Sequence, residues 1–477
     1  MNSVQSSVAP AKTPAFYRFG GWVARHRWPV LIGYLIVFVI VGVFGVRVFG
    51  AMQTGGFDDP ASDSARAATV LAEEFGTRDP VVVLAIESPE GVDAGATQAQ
   101  ALLDDIGQVS GVSEVVSYWS TGGAPTLLSE DGLTARAFVY ADEGADTEKI
   151  SADIVATYAG QQGDVFVYAF GNDVVGNAFT DTITGDLARA ESIAIPITAL
   201  ILLFVFGSVV AAGLPFLVAG GTILGSFFAL WIVSTVTDVS VFSLNLVTGL
   251  GLALGIDYSL LIISRFREEL SAGKSVPDAV AATVGSAGKT VFVSGITVAF
   301  ALAALLIYPQ YFLRSFAYAG IAVSFLAIAG ALTAIPALLA ILGRNVNRLK
   351  VRRGDLAPKD TGIWASIARF VMRYPWPVLV ATVAFLLVLA APALGAVFGQ
   401  VDDRALPPDH PAAAAGQVLQ DRFPGNDAAP YNIILREPSS DADVLAYAEE
   451  ISLLPDVERV TTPTDVVVDG AVVAPNP

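Results

Sequence analysis

The sequence predicts a polytopic α-helical membrane protein of about seven spans, carrying an extracytoplasmic α+β domain of ferredoxin-like order and part of a second one. Three observations lead there. Apolar runs of membrane length recur seven times, basic residues gather on one side of those runs, and the two long polar stretches between them read as alternating helices and strands. A chain of 477 residues would otherwise be expected to form several soluble domains, but 54% hydrophobic residues and a mean hydropathy of +0.61 point to a bilayer instead.

In chain order, the expected elements are a cytoplasmic tail at 1–28, a first span at 29–50, an outer α+β domain at 51–190, and a five-span bundle at 191–342 with a cytoplasmic helix near 265–288. A basic cytoplasmic linker at 343–376, a seventh span at 377–398 and a partial second outer domain at 399–477 follow. Trp22 and Trp28 sit at headgroup depth before the first span. The second and third spans are expected to meet at a tight turn near Gly213 and Pro215. The outer domain reads as a helix at 62–75, then strand 81–87, helix 97–109, strands 112–119 and 134–140, helix 147–158 and strand 165–170. From residue 81 onward that order is β-α-β-β-α-β, the split βαβ arrangement.

Orientation follows from charge. The net charge of −18 divides unevenly, because 16 of the 27 basic residues fall in three segments that share one side, among them Arg25, Arg27, Arg265, Arg267 and the cluster from Arg344 to Arg373. Only Glu268, Glu269, Asp278, Asp355 and Asp360 oppose them there, so the N-terminus is expected to be cytoplasmic and the acidic loops outside. The basic cluster after Leu342 is accordingly a topology determinant and not a nucleic-acid surface. No cysteine is present and only His26 and His410 could offer imidazole, so neither a metal site nor a bound cofactor is expected. Gly273-Lys274-Ser275 and Gly288-Lys289-Thr290 imitate the end of a phosphate loop, but Glu268 and Thr283 stand where its first glycine belongs, which excludes nucleotide binding there.

The candidate functional residues lie in Asn245 to Arg267, a run apolar enough to cross a bilayer that nevertheless holds Asp257. A charge at a helix centre costs about 2.5–3.5 kcal/mol on insertion scales, so an intramembrane acid is by default functional. Asn245, Gly249, Ala253 and Asp257 recur every four residues and form a small-and-polar stripe, expected to face other helices. Asp257 is the candidate proton relay. Tyr258 beside it either hydrogen-bonds an acid on a partner helix or packs in the bundle. Gly249, Gly251, Ala253 and Gly255 are helix-packing positions, and Asn245 is a weaker relay candidate.

An internal repeat runs through the chain. RHRWPVL at Arg25–Leu31 recurs as RYPWPVL at Arg373–Leu379, and VLAEEF at Val70–Phe75 recurs as VLQDRF at Val418–Phe423, each 348 residues on. The second copy is expected to supply a helix, strand 432–435, helix 442–453, strand 457–461 and a turn at Asp469 and Gly470. A half-built domain of this kind leaves a bare sheet edge, so the chain is expected to be truncated, whether as a fragment, a split reading frame or one half of a complex.

The runs GLGLALGIDYSLLIISRFREEL at Gly249–Leu270, ESIAIPITALILLFVFGSVVAAGLP at Glu191–Pro215 and AGKTVFVSGITVAF at Ala287–Phe300 resemble the resistance-nodulation-division superfamily and, within it, the mycobacterial membrane protein large (MMPL) transporters. The resemblance implies twelve spans from a duplicated unit, outer porter domains, and proton coupling through acids in spans four and ten, with Asp257 and Tyr258 matching the fourth-span pair. It further implies a multi-pass protein of the bacterial cell membrane that exports lipids or other hydrophobic molecules on the proton-motive force. The partners it implies are membrane lipids, a hydrophobic substrate, and a missing second half or complementary subunit; the protein would be no enzyme. A sterol-sensing-type lipid receptor or scaffold and a half-size accessory of a secretion complex are the alternatives.

Overall fold

The computed structural model describes residues 14–75, 78–349, 351, 362–396, 403–423, 431–435, 440–455 and 457–475. Residue contacts divide the chain into two compact units, one formed by Met1–Phe57 and Asp186–Gln400, the other by Asp58–Gly185 and Val401–Pro477.

The first unit is helical. An amphipathic helix α1 (Ala15–Arg25) leads into α2 (Arg27–Gly45). The bundle continues with α6 (Asn172–Phe206), α7 (Val209–Ser234), α8 (Ser243–Ser271), α9 (Val276–Thr283), α10 (Lys289–Ala303) and α11 (Tyr311–Leu342), and α12 (Ile363–Arg373) and α13 (Pro375–Ala390) close the unit. Seven of the described helices, with their short extensions, are long and apolar enough to cross a membrane, matching the expected number. Pro196 and Pro336 lie inside α6 and α11, which membrane helices in a bundle tolerate better than soluble ones. The core gathers where α7, α8 and α11 meet, around Val218, Ile262, Phe266, Ala327 and Ile335.

Two expectations need correction here. The turn between the second and third spans is not at Gly213 and Pro215, which lie within α7, but at Gly207, whose φ of 62° only glycine adopts freely, and Ser208. Ser208 wins because its buried hydroxyl accepts from the Ala211 N–H as N-cap and lies 2.9 Å and 2.7 Å from the carbonyls of Val346 and Arg348, which it can satisfy in turn. The cytoplasmic helix expected near 265–288 is also divided differently. Residues 265–271 continue α8, while α9 runs through a π-helical turn, Val284–Gly288, directly into α10. No proline interrupts the chain after Pro277 until Pro309, so the helix continues, absorbing its extra residue as a π-turn. There α1 is seated: a Cβ on Gly20 would stand 2.7 Å from Val284 Cβ and 3.1 Å from Ala281 Cα.

The second unit is built on α3 (Asp63–Phe75), β1 (Val82–Glu87), α4 (Ala96–Ile106), β2 (Val112–Ser117), β3 (Thr134–Ala141), α5 (Thr147–Tyr158), β4 (Gly160–Gln162) and β5 (Val165–Phe170). The sheet order is β2-β3-β1-β5-β4, and every neighbouring pair is antiparallel. Alternation along β1 makes the sheet two-sided. Leu84 and Ile86 join Leu102, Leu103 and Ile106 of α4 and Ile150 and Ile154 of α5. Val83 and Ala85 face the other way and are covered by Leu419 of α14 (Pro411–Arg422) and by Phe423 just beyond it.

Arg422 fastens that helix, donating to Glu87 at 2.7 Å, Thr134 at 2.8 Å and Asp131 at 3.3 Å, while the Arg136 guanidinium lies 4.1 Å above the Phe423 ring. The second copy adds α15 (Asp441–Ser452), opened by a capping box between Ser440 and Asp443, and a small sheet of β6 (Val460–Thr461), β7 (Asp465–Val468) and β8 (Ala471–Pro475). The expected strand at 432–435 does not form, because no described strand pairs with it. The strand expected at 457–461 keeps only its last two residues, and the Asp469-Gly470 turn instead joins the unforeseen pair β7 and β8.

Replacing Ser208 by Ala removes the cap and the one donor that the Val346 and Arg348 carbonyls share. The variant should lose about 1–2 kcal/mol, read as a lower unfolding temperature of the detergent-purified protein. Asp131 offers a pH test. The Ser129 hydroxyl and the Leu133 N–H, with Arg422 adding to them, hold its carboxyl below the ordinary value. A depressed folded value means that the contribution is present above the ordinary carboxylate range and is lost as pH falls through the depressed value. The full chain should therefore be more stable than its Asp131→Asn variant at pH 7, the gap closing below about pH 4 in an acid titration followed by circular dichroism.

Candidate functional site

Helix α8 has a glycine side and an acid side, and spacing alone separates them. Gly251 and Gly255 are buried against α7: a Cβ on Gly255 would stand 2.6 Å from Ala219 Cα and 2.9 Å from its N, and one on Gly251 would stand 2.9 Å from Ile223 Cγ1. Those contacts are with backbone or the stem of a neighbour, so the two helices meet here only because the side chains are absent. Two residues further round is about 200° of turn, so Gly249, Ala253 and Asp257 look the opposite way. All three are exposed, Asn245 is partly so, and a Cβ on Gly249 would meet open space. Of the four expected packing positions, two pack on α7 and two belong to the open stripe. The expectation that the stripe faces other helices is not met among the described residues, since α8 spends its close contacts on the glycine side.

Asp257 stands at the midpoint of α8, fourteen residues from either end and so about 21 Å from each. Tyr258 turns away from that stripe. It is 94% buried, and its hydroxyl reaches α10, 3.3 Å from where a Cβ on Gly295 would stand, with the Ser294 side chain beside it but no hydrogen bond of good geometry closed. The acid and the phenol are thus neighbours in sequence and not on one face. Ser294 was not singled out from the sequence, although the serine-glycine step in VFVSGITVAF is the signal that carries it. At the C-terminal end of the helix, Glu269 is buried and pairs with Arg265 and Lys274, each at 2.6 Å, and Arg267 donates to the Phe206 carbonyl at 3.0 Å.

The α+β unit holds a cleft of about 690 Å³ between α5, β5, the start of α6 and the start of α14. Its walls are mainly apolar, with Val155, Phe166, Val174, Ala178 and Pro411 among them, and Asn177, Asp181 and His410 supply the polar groups. That size and composition suit an apolar ligand with a polar end. His410 also caps α14, its Nδ1 accepting from the Ala412 N–H at 3.2 Å. Nothing in the sequence pattern announces this cleft, because its lining comes from four separated segments. Among the described residues no cluster of histidine, aspartate and glutamate could hold a metal ion.

A bundle of membrane-length helices with an acid at mid-span, joined to an antiparallel α+β unit, defines a polytopic helical membrane protein with a two-part organisation. The chain belongs to the MMPL family, whose profile matches residues 56–378. It is 36% identical over 420 residues to a membrane protein of Streptomyces coelicolor, covering 85% of this chain and 57% of that one. It is 28% identical over 472 residues to the trehalose monomycolate exporter MmpL3 of Mycobacterium tuberculosis, covering 90% of this chain and 50% of that protein. With the mycolic acid-containing lipids exporter MmpL11 of Mycolicibacterium smegmatis the identity is 27% over 438 residues, covering 88% and 45%. The chain spans about half the length of the curated relatives it matches.

Replacing Gly255 by Val forces α8 off α7, since the obstructing atoms belong to the Ala219 backbone. Gly249→Val adds its side chain in open space. The first variant should yield little monodisperse protein on size-exclusion chromatography and the second should retain the wild-type yield.

Proposed function

We propose that this chain forms part of an exporter of lipids or other hydrophobic molecules driven by the proton-motive force, with Asp257 as the proton-carrying group. The observation that carries this is the position of Asp257, a carboxyl halfway along a membrane-length helix on a stripe of small and polar residues. Such a stripe is poorly matched to acyl chains, and an ionised acid facing them would be costly. We therefore infer that a complementary half or subunit covers Asn245, Gly249, Ala253 and Asp257, enclosing the carboxyl between helices. A group so enclosed exchanges its proton with whichever side admits water, and each proton crossing 100 mV releases about 2.3 kcal/mol. Tyr258, with its hydroxyl against α10, would tie α8 to the helix that must move with it.

The α+β unit would be a ferredoxin-like porter, a reading its antiparallel sheet supports, and its apolar cleft would receive the hydrophobic part of the cargo. The printed functions of the mycobacterial relatives, export of trehalose monomycolate and of mycolic acid-containing lipids, support a lipid cargo. The basic segments support a cytoplasmic N-terminus and a cytoplasmic stretch at 343–376, with the sheet on the other side.

In cells producing the whole protein, Asp257→Asn should insert at the wild-type level, abolish export of the lipid cargo and remove its sensitivity to a protonophore. Export that survives the substitution rules out the relay and favours a lipid-sensing role for the bundle.

A further inference from the structure

The first membrane-length helix ends on an arginine that rings hold in place. Gly45 brings α2 tight against α7: a Cβ there would stand 2.9 Å from the Leu224 carbonyl oxygen and 3.1 Å from the Phe228 nitrogen, backbone atoms that cannot give way. Just beyond, Val46–Gly50 tightens into a 3-10 turn whose Val48 is fully buried, which leaves the preceding Arg47 on the surface. Its guanidinium lies 5.1 Å from the centre of the Phe44 ring and 5.6 Å from that of Trp231, and those two rings stack at 6.3 Å from α2 to α7. Such contacts orient the guanidinium plane and use none of its N–H donors. None of the ion pairs among the described residues includes Arg47.

Position gives that cation a meaning. From Arg27 to Arg47 a helix rises about 30 Å, the thickness of the bilayer hydrocarbon, so Arg47 falls at the polar boundary opposite to that of Arg25 and Arg27. The charge bias that orients membrane proteins asks for cations at one end only and does not account for it. Counting back along α2, Val43, Ile40 and Ile36 stand four, seven and eleven residues before Arg47, on its own face of the helix, and all three are exposed. The line is about 16 Å long, the depth of one leaflet. Helix α2 packs on Leu224 and Phe228 of α7, whereas α8 packs on Ala219 and Ile223, so this line and the Asp257 stripe belong to different faces of the bundle. A forked cation at the head of an apolar line complements an anion at the head of an acyl chain.

We propose that Arg47, Phe44 and Trp231 form a binding site for a phospholipid, the guanidinium taking the phosphodiester through two parallel N–H donors and one acyl chain lying along Val43, Ile40 and Ile36. The bound lipid joins α2 to α7 at their shared end, because its phosphate rests on the arginine of one helix beside the indole of the other. The site depends neither on what the bundle transports nor on Asp257.

The test is native mass spectrometry of the full chain in detergent, titrated with phosphatidylglycerol. The wild type should hold one lipid more tightly than any other, and Arg47→Gln should weaken that first binding about tenfold, the loss expected of a charge-assisted pair. Arg47→Lys, which keeps the charge without the planar fork, and Trp231→Leu should each weaken it by less. Because Arg47 is exposed, its variants should elute from size-exclusion chromatography as the wild type does. Equal first binding by the wild type and Arg47→Gln overturns the site. A diacylglycerol of the same chains bound as tightly as phosphatidylglycerol reduces it to an apolar groove, and displacement of the lipid by millimolar inorganic phosphate makes it a free-anion site; either result overturns the proposal. A lipid-free dimer that Arg47→Gln dissociates would seat a second copy on this face and overturns it as well.

Discussion

The close approach of α8 to α7 is the constraint on which the membrane site depends. Gly255 brings backbone against backbone at Ala219 and Gly251 sits against Ile223, and a helix gripped along one line cannot rotate. Rotation decides where the remaining side chains look. With the glycine line on α7, Asp257 is carried to the opposite face and Tyr258 falls between, against α10. The position of the acid is therefore set by residues with no side chain at all. Helix–helix packing in a bilayer gains nothing from hydrophobic transfer, so this van der Waals contact and the interhelical polar contacts hold the geometry.

The outer unit solves a different problem. Its sheet is apolar on both faces at β1, so one layer of helices cannot cover it. Helices α4 and α5 take one face and α14 takes the other, and the second side is fixed by charge as well as by shape. Arg422 meets Glu87, Asp131 and Thr134, and the neighbouring Phe423 ring lies under Arg136. A pairing of this kind adds orientation to apolar contact, which by itself is non-directional. Burial from the Tyr168 ring's surroundings, with the Glu87 carboxylate beside it, also pushes that phenol above its ordinary value, so the same acid organises both its strand neighbour and the helix above.

Helix α6 runs without a break from Asn172 to Phe206. The cleft is lined partly by its first turns, at Val174, Asn177, Ala178 and Asp181, and its later turns are membrane-length.

The sequence by itself determined the number of spans, their order, the repeat offset and the first outer domain's element order. These are properties of local periodicity and charge, and lipid or water reads them segment by segment. It also picked out Asp257, because an acid in an apolar run is conspicuous without any neighbour. What it did not determine was every relation that needs a second segment. The turn went to Ser208 because two distant carbonyls, at Val346 and Arg348, require its hydroxyl. The strand expected at 432–435 finds no paired neighbour among the described residues, and Gly251 separated from Gly249 only when Ile223 came up against one and not the other. Tertiary structure alone chose the partner of α14, since Glu87, Asp131 and Arg422 lie far apart in the chain and meet only when the sheet has formed.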